Sequence, residues 1–199
     1  MTNNKPLDVV ELFEQNRRIP FEKDNYTILE SQISEVWSSY FDHTIHAIEA
    51  DPIYNSYPVR EKALSFFYTY LLELQPNRDF NVYCLRKKDW KTPLKYACLL
   101  HNEPKIRAYF SQLIEQGLDT GELASRALLS ARYGQFLWTA FVFSLDFWKN
   151  DNSEHFESSD IAVERAVHLA FDAMSPNFLD SGLEMAQFIW KNKNNYTKK

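Results

Sequence analysis

Four glycines, Gly117, Gly121, Gly134 and Gly182, are all that 199 residues contain. Average usage is roughly 7%, and this chain falls far below it. Loops that cradle a phosphate, and the turns of dinucleotide-binding folds, need a bare Cα where the backbone approaches a pyrophosphate. None of the four lies in a GxGxxG or GxxxxGK pattern. A turn-rich all-β fold would need more of them as well. Long helices remain, and aromatic residues at 16% give them bulky cores.

The length suits one domain, or one domain with a small appendage, and is ample for a core without staples. Cys84 and Cys98, the two cysteines, fit a reduced intracellular chain better than a disulfide scaffold. No apolar run approaches the ~18–20 residues of a spanning helix. The opening residues lack the charged-then-apolar order of a signal peptide. The expectation is a cytoplasmic, soluble protein. Its formal charge is −5, and residues 1–40 carry seven acidic against four basic side chains. Basic residues gather elsewhere, at Arg86, Lys87, Lys88, Lys91 and Lys95 and again at Lys191, Lys193, Lys198 and Lys199.

Hydrophobic periodicity then divides the chain. Val9, Val10, Leu12 and Phe13 predict a short helix ended before Pro20. Thr27 and Glu30 read as a capping box for a helix reaching about Glu49, with Ile33, Trp37, Tyr40, Phe41, Ile45 and Ile48 on one face. Pro58 suits the first turn of the next helix, which carries Leu64, Phe67, Tyr68, Leu71, Leu72 and Leu74 to Pro76. Residues 80–86 read as a third, shorter helix. A longer element is expected from Pro93 to Gln116, stopped by Gly117 and kinked or divided at Pro104. Asp119, Thr120 and Gly121 read as a turn, and residues 122–133 as helical. Residues 134–148 are apolar all round, which predicts burial on nearly every side. After a polar loop at 149–157, Ser158, Ser159 and Asp160 are expected to cap a helix through Met174, with Ile161, Val163, Ala166, Val167, Ala170 and Phe171 inward. Leu179, Leu183, Ala186 and Trp190 line one face of a last helix.

Little here carries chemistry. His43 and His46 are three apart, beside Asp42 and Glu49, but a structural zinc site takes four ligands; they read as a polar helix face or pocket edge. The cysteines read as core thiols. There is no GxSxG elbow and no HExxH. No catalytic residue, metal or cofactor is expected. The aromatics leave two readings open: ordinary core, or the lining of an apolar cavity between helices with tyrosine hydroxyls to orient a ligand. In the second, Trp37, Phe41, Phe67, Tyr70, Leu71, Tyr83, Phe110, Trp138 and Phe141 line the pocket.

The segments PVREKALSFFYTYLLEL, LIEQGLDTGELASR, FLWTAFVFSLDFWKNDNSEHFESSDIAVERAVHLAFDAM and NFLDSGLEMAQFIWK resemble the ligand-binding, C-terminal region of TetR-family transcriptional regulators, in a Bacteroidetes-type branch. The resemblance spans residues 27–191. It implies an all-α bundle with an extra C-terminal helix, an inter-helix pocket for an apolar small molecule or lipid, and a homodimer. The dimer seam falls on residues 134–149 and 160–174, at Phe136, Ala140, Phe143, Phe147, Val163, Ala166, Val167 and Ala170. Residues 1–26 are shorter than the ~40 residues of a three-helix DNA-reading head, and they are acidic. DNA readout is therefore not expected; the alternative is a regulator that still binds DNA through this segment or the basic cluster at 86–95. The last helix and the basic tail at 192–199 suggest a membrane-surface contact, as in the lipid-binding ubiquinone-biosynthesis proteins that share the TetR fold, or simple packing on the domain.

Overall fold

The computed structural model describes residues 8–19, 26–86, 97–99, 102–126 and 129–176, the side chains of residues 26, 27, 86 and 97 excepted. Among them are seven α-helices and no strand: α1 (Val9–Asn16), α2 (Tyr26–Glu49), α3 (Val59–Leu74), α4 (Arg78–Arg86), α5 (Glu103–Thr120), α6 (Tyr133–Trp148) and α7 (Glu157–Met174). The fold is all-α. α3 is the hub, packed against α2, α5, α6 and α7, and α6 lies along α7. The expected last helix, with Leu179, Leu183, Ala186, Trp190 and the tail lysines, lies outside the described residues, as do Lys87, Lys88, Lys91, Pro93 and Lys95.

α1 forms because Asp8 caps it, accepting from the N–H groups of Val10 at 2.9 Å and Glu11 at 3.3 Å. It ends on Arg17, whose φ of 54° is left-handed. Its apolar side is spent on the core: Val9 and Phe13 are buried, and the Phe13 ring meets Phe80 of α4 edge-on at 5.8 Å.

Several expected boundaries move, each for a local reason. α2 already includes Tyr26 and Thr27, so Thr27 lies inside the first turn and not ahead of it. Pro58 stands just before α3 and has no side-chain oxygen to offer. The Glu122 carboxylate supplies it, accepting from the Val59 N–H at 2.9 Å. α4 starts at Arg78, two residues early, because a short 3-10 turn at Gln75–Asn77 absorbs Pro76.

Pro104 opens α5 and does not divide a longer helix; a first-turn proline loses no intrahelical hydrogen bond. Gly117 is no stop. It sits inside α5, and the helix ends at Gly121, whose φ of 78° suits a glycine. Gly117 serves close packing instead: a Cβ there would meet Leu123 Cγ at 2.7 Å and Val59 Cγ2 at 2.9 Å.

Residues 122–126 are not helical, because their backbone groups are bonded elsewhere. The Leu123 N–H donates to Gly117 C=O and the Ala124 N–H to Met174 C=O, each at 2.9 Å. The Tyr133 hydroxyl donates to Ala124 C=O at 2.7 Å.

α7 begins at Glu157, so Ser158 and Ser159 lie within it. Asp151 and Ser153 do the capping: the Ser159 N–H donates to Asp151 Oδ2 at 2.8 Å and the Ser158 N–H to Ser153 Oγ at 3.1 Å. Ile161, expected inward, is 49% exposed. α6 also keeps an open side, where Phe143 and Phe147 face solvent in the single chain.

Candidate functional site

The expected pocket residues fall into three places. Phe67, Tyr70, Phe110, Trp138 and Phe141 come together between α3, α5 and α6, all nearly inaccessible. Their rings interlock, with Phe141 5.0 Å from Tyr70, 5.5 Å from Phe67 and 5.9 Å from both Phe110 and Trp138. Phe41 touches this stack only through Phe66, at 6.0 Å. Leu71 is buried on α3. Tyr83 stands apart, against Phe13 of α1 at 5.2 Å, and its hydroxyl accepts from the Ile19 N–H at 3.4 Å. Trp37 lies with Tyr40, the rings edge-on at 5.9 Å.

Phe66 is the residue the sequence reading missed. It is fully buried and contacts Phe67, Tyr70, Tyr109, Phe110 and Phe141. A single apolar stripe through Leu64, Phe67 and Leu71 leaves it outside. The adjacent pair Phe66 and Phe67 was the available signal, since two neighbouring large rings cannot share one narrow face.

The polar chemistry of this interior converges on Tyr40. Its hydroxyl accepts from the side-chain amides of Asn81 at 3.2 Å and Asn77 at 3.4 Å. The Asn81 amide also donates to Leu74 C=O at 2.9 Å, which fixes α4 against the end of α3. Burial raises the Tyr40 hydroxyl pKa against the lowering effect of the two amides. Burial pushes the Tyr70 hydroxyl well above the usual phenol range, with Cys98 and Tyr40 adding to it. Cys98 is likewise pushed well up by burial and then by Cys84, while backbone N–H groups pull the other way. These groups are neutral at physiological pH, so Cys98 is a buried thiol and not a nucleophilic thiolate.

Among the described residues, six buried side-chain polar atoms have no hydrogen-bond partner. Arg78 Nε and Trp148 Nε1 are together at the corner before α7, where the guanidinium stacks 5.5 Å from the Trp148 ring. Gln32 Oε1 is on α2. The other three are Trp37 Nε1, Tyr70 OH and Asn81 Oδ1, on the three helices that meet around Tyr40. Each such atom costs about 1–3 kcal/mol, in a domain whose net stability is about 5–15 kcal/mol.

The second feature is the open side of α6 and α7. A groove of about 420 Å³ runs between them, lined by Phe136, Ala140, Phe143, Ala166, Leu169 and Ala170 among others. Phe143 is 50% exposed and Leu169 69%. Of the expected seam residues, Phe136, Ala140, Phe143, Phe147, Ala166 and Ala170 reach this side. Val163 and Val167 are fully enclosed and hold α7 onto its own chain. Leu169 was missed; it follows Ile161 and Arg165 at steps of four, a stripe opposite the inward one.

No group of three or more metal-ligating side chains occurs among the described residues. The His43 Nδ1 is 3.4 Å from the Glu73 carboxylate, and His46 is exposed. No helix among the described residues is long and apolar enough to cross a membrane.

The described residues form an all-α bundle with an aromatic core and one apolar side left open. A family model described as tetracyclin repressor-like, C-terminal domain, matches residues 62–189. The chain belongs to that family. Such domains are typically non-enzymatic and regulatory, bind small molecules and usually form homodimers. The chain matches none of the curated proteins and none of the solved structures compared with it.

Proposed function

We propose that this protein is a homodimeric, non-catalytic module of the cytoplasm that holds an apolar or lipid-like small molecule among α2, α3 and α4. One observation carries the reading: three polar atoms, on Trp37, Tyr70 and Asn81, are buried without partners around Tyr40. Ligand sites between helices combine apolar walls with a few orienting polar groups. The aromatic stack reaches these atoms through Tyr70, whose ring lies 5.7 Å from Phe66 and 5.0 Å from the expected pocket residue Phe141. The neutral Cys98 and Tyr70 fit binding better than catalysis.

The open side of α6 and α7 supports pairing with a second copy. Exposed large apolar patches on a single chain mark interaction sites, and family members usually pair. The reading includes no DNA contact by α1, whose apolar side is already committed to α2 and α4.

Native mass spectrometry of the purified protein tests both parts. The expected result is a dimer carrying small-molecule mass that is lost on collisional activation. A monomer would remove the pairing; a chain of bare mass that takes up no added hydrophobe would remove the binding.

A further inference from the structure

We infer that a cleft where α1 and α4 meet the loop after α6 binds a small organic anion, a carboxylate or phosphate carried on a ring-sized apolar body. This is a second site, independent of the interior around Tyr40.

A cavity of about 380 Å³ lies there, lined by Arg17, Arg78 and Lys149 and by one acidic residue, Asp79. Two of the cations have carboxylate partners. Arg17 Nη1 is 3.1 Å from Asp79, and Lys149 Nζ is 2.6 Å from Asp146. Arg78 has none among the described residues. Its Nη2 donates to the Asp151 C=O at 2.7 Å, while the Asp151 carboxylate is taken by Ser153 and Ser159. One positive charge in the cleft is thus left without a counterion, in a chain whose formal charge is −5. An oxyanion supplies that counterion and accepts a charge-assisted hydrogen bond as well.

The Arg78 guanidinium is already fixed in place. It lies 5.5 Å from the Trp148 ring centre and 5.1 Å from that of Phe156, and its bond to Asp151 sets its rotation. A donor held in this way loses little freedom on binding. Its Nη1 makes no hydrogen bond among the described residues. Arg17 spends one nitrogen on Asp79 and is 72% exposed, so the cleft opens to solvent at this residue.

The apolar walls account for the body of the ligand. Phe13 and Tyr83 line the same cavity, their rings 5.2 Å apart, and a ring packs well on such a pair. Tyr83 is the expected pocket aromatic that stands apart from the α3–α5–α6 stack. A neighbouring space of about 290 Å³ shares Phe13, Arg17, Arg78 and Asp79 but adds Glu14, whose carboxylate repels an anion. The charged group therefore belongs on the side of Lys149 and Asn152.

Phenyl phosphate, benzoate and benzyl alcohol, titrated calorimetrically into the full-length protein at pH 7.5, test the inference. The expected result is saturable binding of at least one anion, about tenfold tighter than the alcohol. That binding should weaken about fivefold as salt rises from about 20 to about 200 mM. Arg78→Gln should weaken it about tenfold, the effect of one lost charge-assisted hydrogen bond. Because Arg78 also braces the loop, Arg17→Asn serves as the second variant; asparagine accepts the left-handed φ of 54° at this position. It should weaken the anion about threefold, as for an exposed charge contact, with an unchanged circular dichroism spectrum. If neither anion binds at low salt, the inference is overturned. It is overturned equally if benzyl alcohol binds as tightly as the anions, since the charge is then not read. Anion affinity unchanged in Arg17→Asn overturns it too, by placing the binding elsewhere.

Discussion

Ser159 gives Asp151 two hydrogen bonds to one oxygen, its N–H at 2.8 Å and its hydroxyl at 2.6 Å from Oδ2. The Ser153 N–H donates to the other oxygen at 2.8 Å. Burial alone would raise the Asp151 carboxyl, but these bonds outweigh it and hold the pKa down at about 2. Asp151 thereby anchors the loop between α6 and α7 and starts α7.

A depressed carboxyl stabilises the fold once the unfolded chain's own carboxyl is ionised, and the benefit fades as pH falls toward the folded value. Stability should therefore drop by about 2 kcal/mol between pH 4 and pH 2 from this group alone. Asp151→Asn should lose a similar amount at pH 7 and show a flatter acid limb. Urea unfolding at pH 7, 4 and 2 measures both; equal acid limbs in parent and variant would refute the assignment.

Three glycines should respond to alanine in three ways. Gly117→Ala places a methyl 2.7 Å from Leu123 Cγ and should cost about 1–3 kcal/mol. Gly121→Ala has open space but a φ of 78°, so strain of about 1 kcal/mol is expected. Gly134→Ala in α6 meets nothing closer than 4.0 Å and should gain about 0.5–1 kcal/mol from helix propensity. Thermal unfolding of the three variants side by side gives the order.

Leu169→Asp and Phe143→Asp should convert a dimer to a monomer at micromolar concentration, seen by light scattering after gel filtration. Both positions face solvent in the single chain, so helix content should be unchanged. A variant that stays dimeric places the pairing surface elsewhere.

Tyr70→Phe removes a buried hydroxyl that has no protein partner. In ligand-free protein, stability should be unchanged or rise by up to about 1–2 kcal/mol, since only a desolvation cost is lost. A clear destabilisation would mean that ordered water already satisfies Tyr70.

The helical class and the apolar faces were legible because period is local. The faces of α2 and α7 appear in the spacing of Trp37 and Tyr40 and of Val163, Val167 and Ala170. What escaped depends on distant partners. Glu122 caps Val59 across the fold, Met174 takes the N–H of Ala124, and Leu123 crowds Gly117; none of these pairings leaves a mark in a sliding window. How the expected pocket aromatics group in space was not legible. Tyr83 went to α1, and the hub of the polar cluster, Tyr40, was read only as one apolar face residue. Asn81 was invisible, because an asparagine in a short helix looks like surface until its neighbours are known.

Cys84 and Cys98 are both buried and neither is in a disulfide. Cys98 is protonated besides. An alkylating reagent needs a thiolate within reach, so it can react only in moments when the helices around Tyr40 part. The labelling rate of these thiols is then a clock for that opening. It runs without any attached dye, and whatever occupies the interior should slow it.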